Sequence, residues 1–259
     1  MFEELLSSQN APLKRLSLSR LKMGQGDSLD ENSSHLVLYY ILTGTVDVDI
    51  VLPRVKLHNV GERDKVTERR PSVVVIPPLA LHVITAATAA DVLKVGLADG
   101  RIGHPVLVRP SDVMREYIIG KGYYQRMVRE VIGEDSPECE LKCGETFNPP
   151  GLWSSWPPHD FERRPEHAPH FEECFYYIGR AGAFGREGAW GYQRRRGRYV
   201  NGETVDDVRI VRPGYYLPIP LGEHPVTAGP EMGIGYVWIY YSPVAKHYTQ
   251  QADGSWLYA

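Results

Sequence analysis

Short runs of apolar residues, each bounded by polar or turn-forming residues, make up most of the hydrophobic pattern of this chain. In residues 35–51 (HLVLYYILTGTVDVDIV), valine and isoleucine alternate with Asp47 and Asp49, which is the period-two pattern of a strand with one buried face. Further strands are predicted at 72–76, 83–86, 92–97, 173–178, 208–211, 215–219 and 235–241. The pattern predicts an all-β fold.

One segment has the pattern of a helix start. Residues 110–117 (PSDVMREY) begin with proline and offer Ser111 or Asp112 as the N-cap. Elsewhere, 25 glycines and 20 prolines supply the turns that many short strands require. The sequence therefore predicts a β-sandwich or β-barrel with little helix.

An internal repeat suggests that the barrel is duplicated. Residues 71–82 (PSVVVIPPLALH) and 214–224 (GYYLPIPLGEH) each contain five strand-forming residues, a proline, a short turn and a histidine, His82 or His224. Two halves built on one plan are typical of duplicated domains. The polar stretch 133–139 is the predicted boundary, which gives units of residues 1–133 and 134–259.

Charge and composition exclude several functional classes. A net charge of −3 argues against nucleic-acid binding through a broad basic field, and we interpret Arg194–Arg196 as a solvated loop. No apolar stretch reaches the ~20 residues of a membrane helix, and the first residues lack the apolar core of a signal peptide. We therefore expect a cytoplasmic protein without a nucleic-acid or membrane partner. Three cysteines, an odd number, are expected to be reduced thiols.

Candidate metal ligands concentrate where the second half begins its strands. His159, His167 and His170 precede Glu172 and Glu173, and His224 follows a Pro-x-Gly turn. Imidazoles and a carboxylate suit a divalent transition ion such as Zn, Mn, Fe or Ni.

The spacing of these residues approximates the cupin pattern. That pattern places two histidines one residue apart, a glutamate a few residues later and a third histidine on a later hairpin. Alternate strand residues face the same side, so such ligands converge inside a barrel. Phe161 stands at the second histidine position and cannot bind metal.

Longer motifs resemble those of the 5-deoxy-glucuronate isomerase family. They are GETFNPPGLWSSWPPH (144–159), EECFYY (172–177) and GEHPV (222–226), with ILTGTVDVDI, GERDKV (61–66), PSVVVIPP (71–78) and GKGYYQRMV (120–128) in the earlier part of the chain. The resemblance covers nearly the whole chain. It implies tandem cupin barrels. Counting back from Gly44 places Val37 at the glutamate position of the first half, which also contains His82, so the N-terminal barrel is expected to be degenerate.

The same resemblance implies a set of metal ligands. His159, Glu173 and His224 fall on ligand positions of the family, and His170 or His167 is the candidate for the place that Phe161 leaves, with His170 favoured. The metal is expected only in the C-terminal barrel.

The resemblance also implies aldose–ketose isomerisation of 5-deoxy-glucuronate in inositol catabolism, with a sugar acid as ligand and a possible homo-oligomer. Glu172 is the candidate base, and the substrate carboxylate would pair with Arg186, Arg194 or Lys246. Two alternatives remain open: a different uronate isomerase, because Phe161 and Glu223 depart from the family pattern, or a non-catalytic bicupin that binds a sugar acid.

Overall fold

The computed structural model describes residues 1–113, 115–133, 136, 139–158, 171–179, 188–241, 248–250 and 256–258. Apart from two 3-10 turns at Pro110–Asp112 and Gly122–Tyr124, all regular structure in these residues is β-strand, which confirms the all-β prediction. The described part of the chain has no helix that is long and apolar enough to cross a membrane. The chain forms two compact units, residues 1–113 and 114–259.

The first unit is built from nine strands. They are β1 (Phe2–Leu6), β2 (Leu16–Met23), β3 (Ser28–Glu31), β4 (Leu36–Ile50), β5 (Val55–Arg63), β6 (Ser72–Ile76), β7 (His82–Ala86), β8 (Ala90–Leu97) and β9 (Val106–Val108). They follow the order β1-β2-β8-β4-β6-β9, while β4 also pairs with β5 and β7, and β3 pairs with β7. The predicted strands in this half are confirmed.

The long strand β4 bends within the first unit. Up to Thr43 it pairs with β6 and β8, and from Gly44 onwards it pairs with β5 and β7. Gly44 has φ +78°, and a Cβ atom there would lie 2.1 Å from the carbonyl oxygen of Ala89. Only glycine fits this close approach, so Gly44 allows β4 to contribute to both parts of the sheet around one apolar core.

The second unit contains thirteen further strands in the described residues. They are β10 (Arg115–Ile119), β11 (Arg126–Ile132), β12 (Leu141–Asn148), β13 (Trp153–Ser154), β14 (Glu172–Ile178), β15 (Gly191–Arg198), β16 (Thr204–Val211), β17 (Tyr216–Ile219), β18 (Leu221–Glu223), β19 (Val226–Ala228), β20 (Ile234–Tyr241), β21 (Tyr248–Gln250) and β22 (Trp256–Tyr258). One sheet has the order β10-β11-β12-β20-β14-β17, another β13-β19-β15-β16 with β18 on β15, and β21 pairs with β22.

The core of the second unit lies between its two larger sheets. Phe175, Tyr177 and Tyr236 come from the six-stranded sheet and pack with Val211 and Val226 of the other. Strand side chains alternate between two faces. Phe175 and Tyr177 belong to this core, so the odd-numbered side chains of β14 point into the barrel and the even-numbered ones point to the opposite face. The predicted boundary after residue 133 follows β11, inside this second unit.

The predicted helix at 110–117 is wrong. A single 3-10 turn, Pro110–Asp112, ends at Val113, and the Asp112 carboxylate accepts a hydrogen bond from the Arg109 backbone N–H at 3.0 Å. Strand β10 follows at once and pairs along its whole length with β11. Strand pairing thus overrides a local helix-start signal, as tertiary contacts often do.

The prediction of a solvated loop for Arg194–Arg196 is also wrong. The three arginines lie on β15, with Arg195 opposite Asp207 and Arg196 opposite Asp206 on β16. Arg195 is buried and its guanidinium binds both carboxylate oxygens of Asp207, at 3.0 and 2.7 Å. Acidic residues on the neighbouring strand neutralise these arginines. The pairing could not be read from the arginine run itself, because the acidic residues come from another strand.

The expectation of free thiols is confirmed. Cys139, Cys143 and Cys174 are all unbonded to one another and buried. Burial raises the pKa of the Cys143 and Cys174 thiols well above the ordinary value. Such thiols stay protonated and are poor nucleophiles, so their role is packing.

Candidate functional site

Glu173 and His224 come together in the second unit, although 50 residues of chain lie between them. Glu173 lies near the start of β14, and His224 directly follows β18. The Nε2 atom of His224 lies 3.8 Å from Oε2 of Glu173, and both side chains are buried. The pairing of Glu173 with Ile219 on β17 brings this hairpin beside β14.

The orientation of the His224 ring is fixed by its own turn. The Nδ1 atom lies 2.9 Å from the carbonyl oxygen of Gly222. A carbonyl oxygen can only accept a hydrogen bond, so Nδ1 carries the proton and donates it. In the neutral imidazole the free lone pair is therefore on Nε2, the ring atom that faces Glu173. A histidine oriented in this way can bind a metal through Nε2.

The carboxylate of Glu173 is poorly satisfied by the protein. Within the described residues, its Oε2 atom has no hydrogen-bond partner. Burial raises its pKa to about 8, with no other cause contributing. An ionised carboxylate in such a place costs several kcal/mol unless it is paired, so the site favours a cation.

The two groups fit a shared metal ion. Two atoms bound to one ion at about 2.1 Å lie at most about 4.2 Å apart, and the observed separation of 3.8 Å falls within this limit. The described residues contain no group of three or more His, Cys, Asp or Glu side chains that could hold a metal. The other predicted ligands, His159 and His170, and also Phe161 and His167, lie outside the described residues.

Glu172, the predicted base, is buried beside Glu173 on β14 and faces Tyr241 of β20 in register. Neighbouring residues of a strand point to opposite faces. Its carboxylate therefore lies on the other side of β14 from the pair formed by Glu173 and His224.

An aromatic and amide shell that the sequence did not identify supports His224. The Phe175 ring meets the His224 ring edge to face, with centroids 5.9 Å apart, and stacks on Tyr236 at 4.3 Å. The Tyr177 hydroxyl donates to Oε1 of Gln193, whose Nε2 donates to the His224 carbonyl at 3.4 Å. These contacts support the His224 ring through its face and through its backbone carbonyl.

The first unit contains an equivalent arrangement without the carboxylate. In β4, Val37 is paired with Ile76 of β6, just as Glu173 is paired with Ile219. The register thus places Val37 at the position of Glu173, as expected from the sequence. His82 repeats the turn contact of His224, with Nδ1 2.8 Å from the Ala80 carbonyl oxygen.

A tyrosine hydroxyl occupies the space beside His82. Tyr39 stands in register where the second unit has Phe175, and its oxygen lies 2.9 Å from Nε2 of His82 and 3.1 Å from Oε2 of Glu31. Lys94 pairs with the other oxygen of Glu31 at 2.6 Å. The Nε2 atom of His82 is therefore already hydrogen-bonded, which supports the prediction that this unit binds no metal of its own.

Comparisons with solved structures show the fold. An IolB-like protein from Salmonella typhimurium has a TM-score of 0.81 at 19% identity, with 98% of this chain and 93% of that chain covered. A cupin 2 conserved barrel domain protein from Leptotrichia buccalis matches at a TM-score of 0.50 and 13% identity, over 93% of this chain and 88% of that chain. The predicted cupin-type fold is confirmed.

Comparisons of sequence show the family. A 5-deoxy-glucuronate isomerase from Geobacillus kaustophilus is 30% identical over 222 residues, which cover 84% of this chain and 76% of that protein. A second enzyme of that name, from Halalkalibacterium halodurans, is 27% identical over 244 residues, 93% of this chain and 85% of its own. The model of the KduI/IolB family matches residues 5–257. The chain therefore belongs to the KduI/IolB family.

Proposed function

We propose that this protein is an aldose–ketose isomerase that converts 5-deoxy-glucuronate into its 2-keto form during inositol catabolism. Family membership over residues 5–257 and relatives that carry the name 5-deoxy-glucuronate isomerase support this assignment. The observation that carries the site is the buried carboxylate of Glu173, which has no hydrogen-bond partner at Oε2 among the described residues and lies 3.8 Å from the His224 imidazole.

A divalent ion, Zn, Mn, Fe or Ni, is part of the proposal. Glu173 and His224 would hold it together with His159 and His170, and His167 is the alternative to His170. Bound there, the ion would supply a Lewis acid for the carbonyl and hydroxyl oxygens of the substrate. The buried Glu173 carboxylate and the oriented Nε2 atom of His224 are donors of the kind that such ions prefer.

The protein's own contribution is orientation and proton transfer. Isomerisation of an aldose to a ketose moves a proton between adjacent carbons, so a base must lie close to both. Phe175, Tyr177 and Tyr236 are buried next to the proposed site and keep water from the reacting carbons. Glu172, the base that the sequence suggested, lies on the opposite face of β14 from Glu173 and does not meet this requirement.

Incubation of the purified, metal-loaded protein with 5-deoxy-glucuronate should yield a 2-keto sugar acid, detectable by NMR as loss of the aldehyde or hemiacetal proton. Solvent deuterium should enter at one of the two reacting carbons, because the proton is carried by a side chain. Binding of the sugar acid without any conversion would instead support the non-catalytic alternative.

Replacement of Glu172 by glutamine tests whether this residue is the base that the sequence suggested. We expect kcat and the metal content to stay those of the wild type, because Glu172 lies on the opposite face of β14 from the proposed ligand Glu173. The variant should be assayed with 5-deoxy-glucuronate after elemental analysis. A fall in kcat of about 100-fold at unchanged metal content would instead assign the proton transfer to Glu172.

A further inference from the structure

Among the described residues, the buried arginines other than Arg126 each make several hydrogen bonds to carboxylates or backbone carbonyls. In the second unit, Arg129 binds Glu116 at 2.6 Å and Glu145 at 3.2 Å, and Arg195 binds Asp207. In the first unit, the Arg63 guanidinium donates to three backbone carbonyls, those of Leu42, Val66 and Arg69. This is the normal condition of a guanidinium inside a protein.

Arg126, at the start of β11, is different. It is 4% exposed, and in the described part of the chain its hydrogen bonding consists of one contact, from Nη1 to the carbonyl oxygen of Tyr124 at 3.2 Å. No carboxylate of the described residues forms an ion pair with it. Burial lowers its pKa, and the groups that oppose this shift are tyrosines, Tyr236 first. A side chain with five donors is thus held inside the unit with most of them unused.

A second unsatisfied polar atom lies next to Arg126. Met127 of β11 is opposite Phe147 of β12, so the next position of the ladder places Arg126 and Asn148 on the same face. Asn148 is buried, and its Nδ2 donates to the Val226 carbonyl at 3.1 Å. Its Oδ1 atom accepts no hydrogen bond from the described residues.

The two side chains therefore present unused donors next to one unused acceptor. Free guanidinium N–H groups match the two oxygens of a carboxylate. The amide oxygen of Asn148 matches a hydroxyl donor. A hydroxy acid carries both groups, whereas a neutral sugar carries hydroxyls but no carboxylate.

Two aromatic rings, those of Tyr236 and Phe175, lie between the pair Arg126 and Asn148 and the proposed metal site. Tyr236 of β20 is opposite Thr146 of β12, two residues from Asn148, and therefore lies on the same face as Asn148 and Arg126. Its hydroxyl donates to Oγ of Ser154 at 2.9 Å. Tyr236 stacks on Phe175 at 4.3 Å, and the Phe175 ring meets His224. Two stacked rings thus run from the strand face that holds Arg126 and Asn148 to the His224 ring, a geometry suited to a ligand with a polar group at each end.

We propose that Arg126 and Asn148 form the subsite that binds the carboxylate and an adjacent hydroxyl of the substrate, and so select a sugar acid over a neutral sugar. The inference rests on the proposed function for its substrate class. Of the arginine and lysine residues suggested by the sequence for this role, Arg194 already pairs with Asp206 at the surface. Arg186 and Lys246 lie outside the described residues.

Binding of D-gluconate and of sorbitol, its neutral counterpart, to the metal-loaded protein tests the subsite by calorimetry. The wild type should bind gluconate more tightly than sorbitol, and Arg126→Met should weaken gluconate binding by about 10- to 100-fold without changing sorbitol binding. Arg126→Lys keeps the charge but loses the planar fork, and we expect an intermediate loss. No gluconate binding by the wild type, or equal binding by wild type and Arg126→Met, would overturn the inference.

Thermal unfolding separates this role from a structural one. Arg126→Met should not lower Tm, because it removes a buried charge that has no carboxylate partner. Arg129→Met, on the same strand, is the matched control and should lower Tm, because it leaves the buried Glu145 carboxylate without its guanidinium. A large drop in Tm for Arg126→Met would show that Arg126 is structural and would overturn the inference.

The kinetics distinguish this inference from the proposed function. Isomerisation of 5-deoxy-glucuronate by the wild type, with an unchanged KM in both Arg126 variants, would refute the subsite and leave the function standing. Arg126-dependent gluconate binding in a protein that turns over no 5-deoxy-glucuronate would refute the function and leave the subsite standing.

Discussion

His224→Ala should bind divalent metal at least about 100-fold more weakly than the wild type and should lose isomerase activity with it. Removal of a partner that only supports a metal ligand typically costs 10- to 100-fold in affinity, and His224 is a proposed ligand itself. Both barrels should stay folded, since the strands around His224 are held by Phe175, Tyr177 and their neighbours. Elemental analysis after dialysis against a defined metal buffer, together with circular dichroism, measures both effects.

His82→Ala is the matched control for this experiment. His82 is equally buried and makes the same contact with a carbonyl two residues earlier in the chain. Its loss should leave the metal content unchanged and should destabilise the protein by about 1–3 kcal/mol, because the Tyr39 hydroxyl loses a buried partner. If His82→Ala loses metal and His224→Ala keeps it, the site belongs to the other barrel.

The sequence predicted the positions that strand geometry fixes. Counting back from Gly44 placed Val37 at the glutamate position of the first half, and the observed register agrees, because Val37 pairs with Ile76 as Glu173 pairs with Ile219. This worked because the side-chain period of a strand is two, so a register known at one point fixes the face of every residue along the strand.

The partners of polar side chains could not be predicted in the same way. Arg126 and Arg129 lie three positions apart in one short strand and look alike in sequence. Arg129 is neutralised by Glu145 from β12 and Glu116 from β10, whereas Arg126 meets a backbone carbonyl. The difference arises from residues on neighbouring strands, which a local pattern does not contain. For the same reason the sequence did not show that the Tyr39 hydroxyl would occupy the space beside His82.

Glu173→Gln should have opposite effects on the metal-free and the metal-loaded protein. The metal-free wild type has a buried carboxyl whose pKa, about 8, is raised above the ordinary value of 4.5 by burial. The folded state therefore binds a proton that the unfolded state has released, and stability falls as pH rises from about 4.5 to about 8. Glutamine cannot ionise, so this loss is absent from the variant.

Denaturation with urea in the presence of a chelator should thus show Glu173→Gln to be more stable than the wild type at pH 8.5, by an amount on the order of a few kcal/mol. The two proteins should differ much less at pH 5, where the wild-type carboxyl is largely protonated in the folded state. With saturating metal at pH 8.5, the wild type should instead be more stable than Glu173→Gln. An ion that binds only the folded state stabilises it more when it binds more tightly, and glutamine is a weaker ligand than glutamate. A variant that is less stable than the wild type with and without metal would mean that Glu173 is held by protein partners and that no cation is needed there.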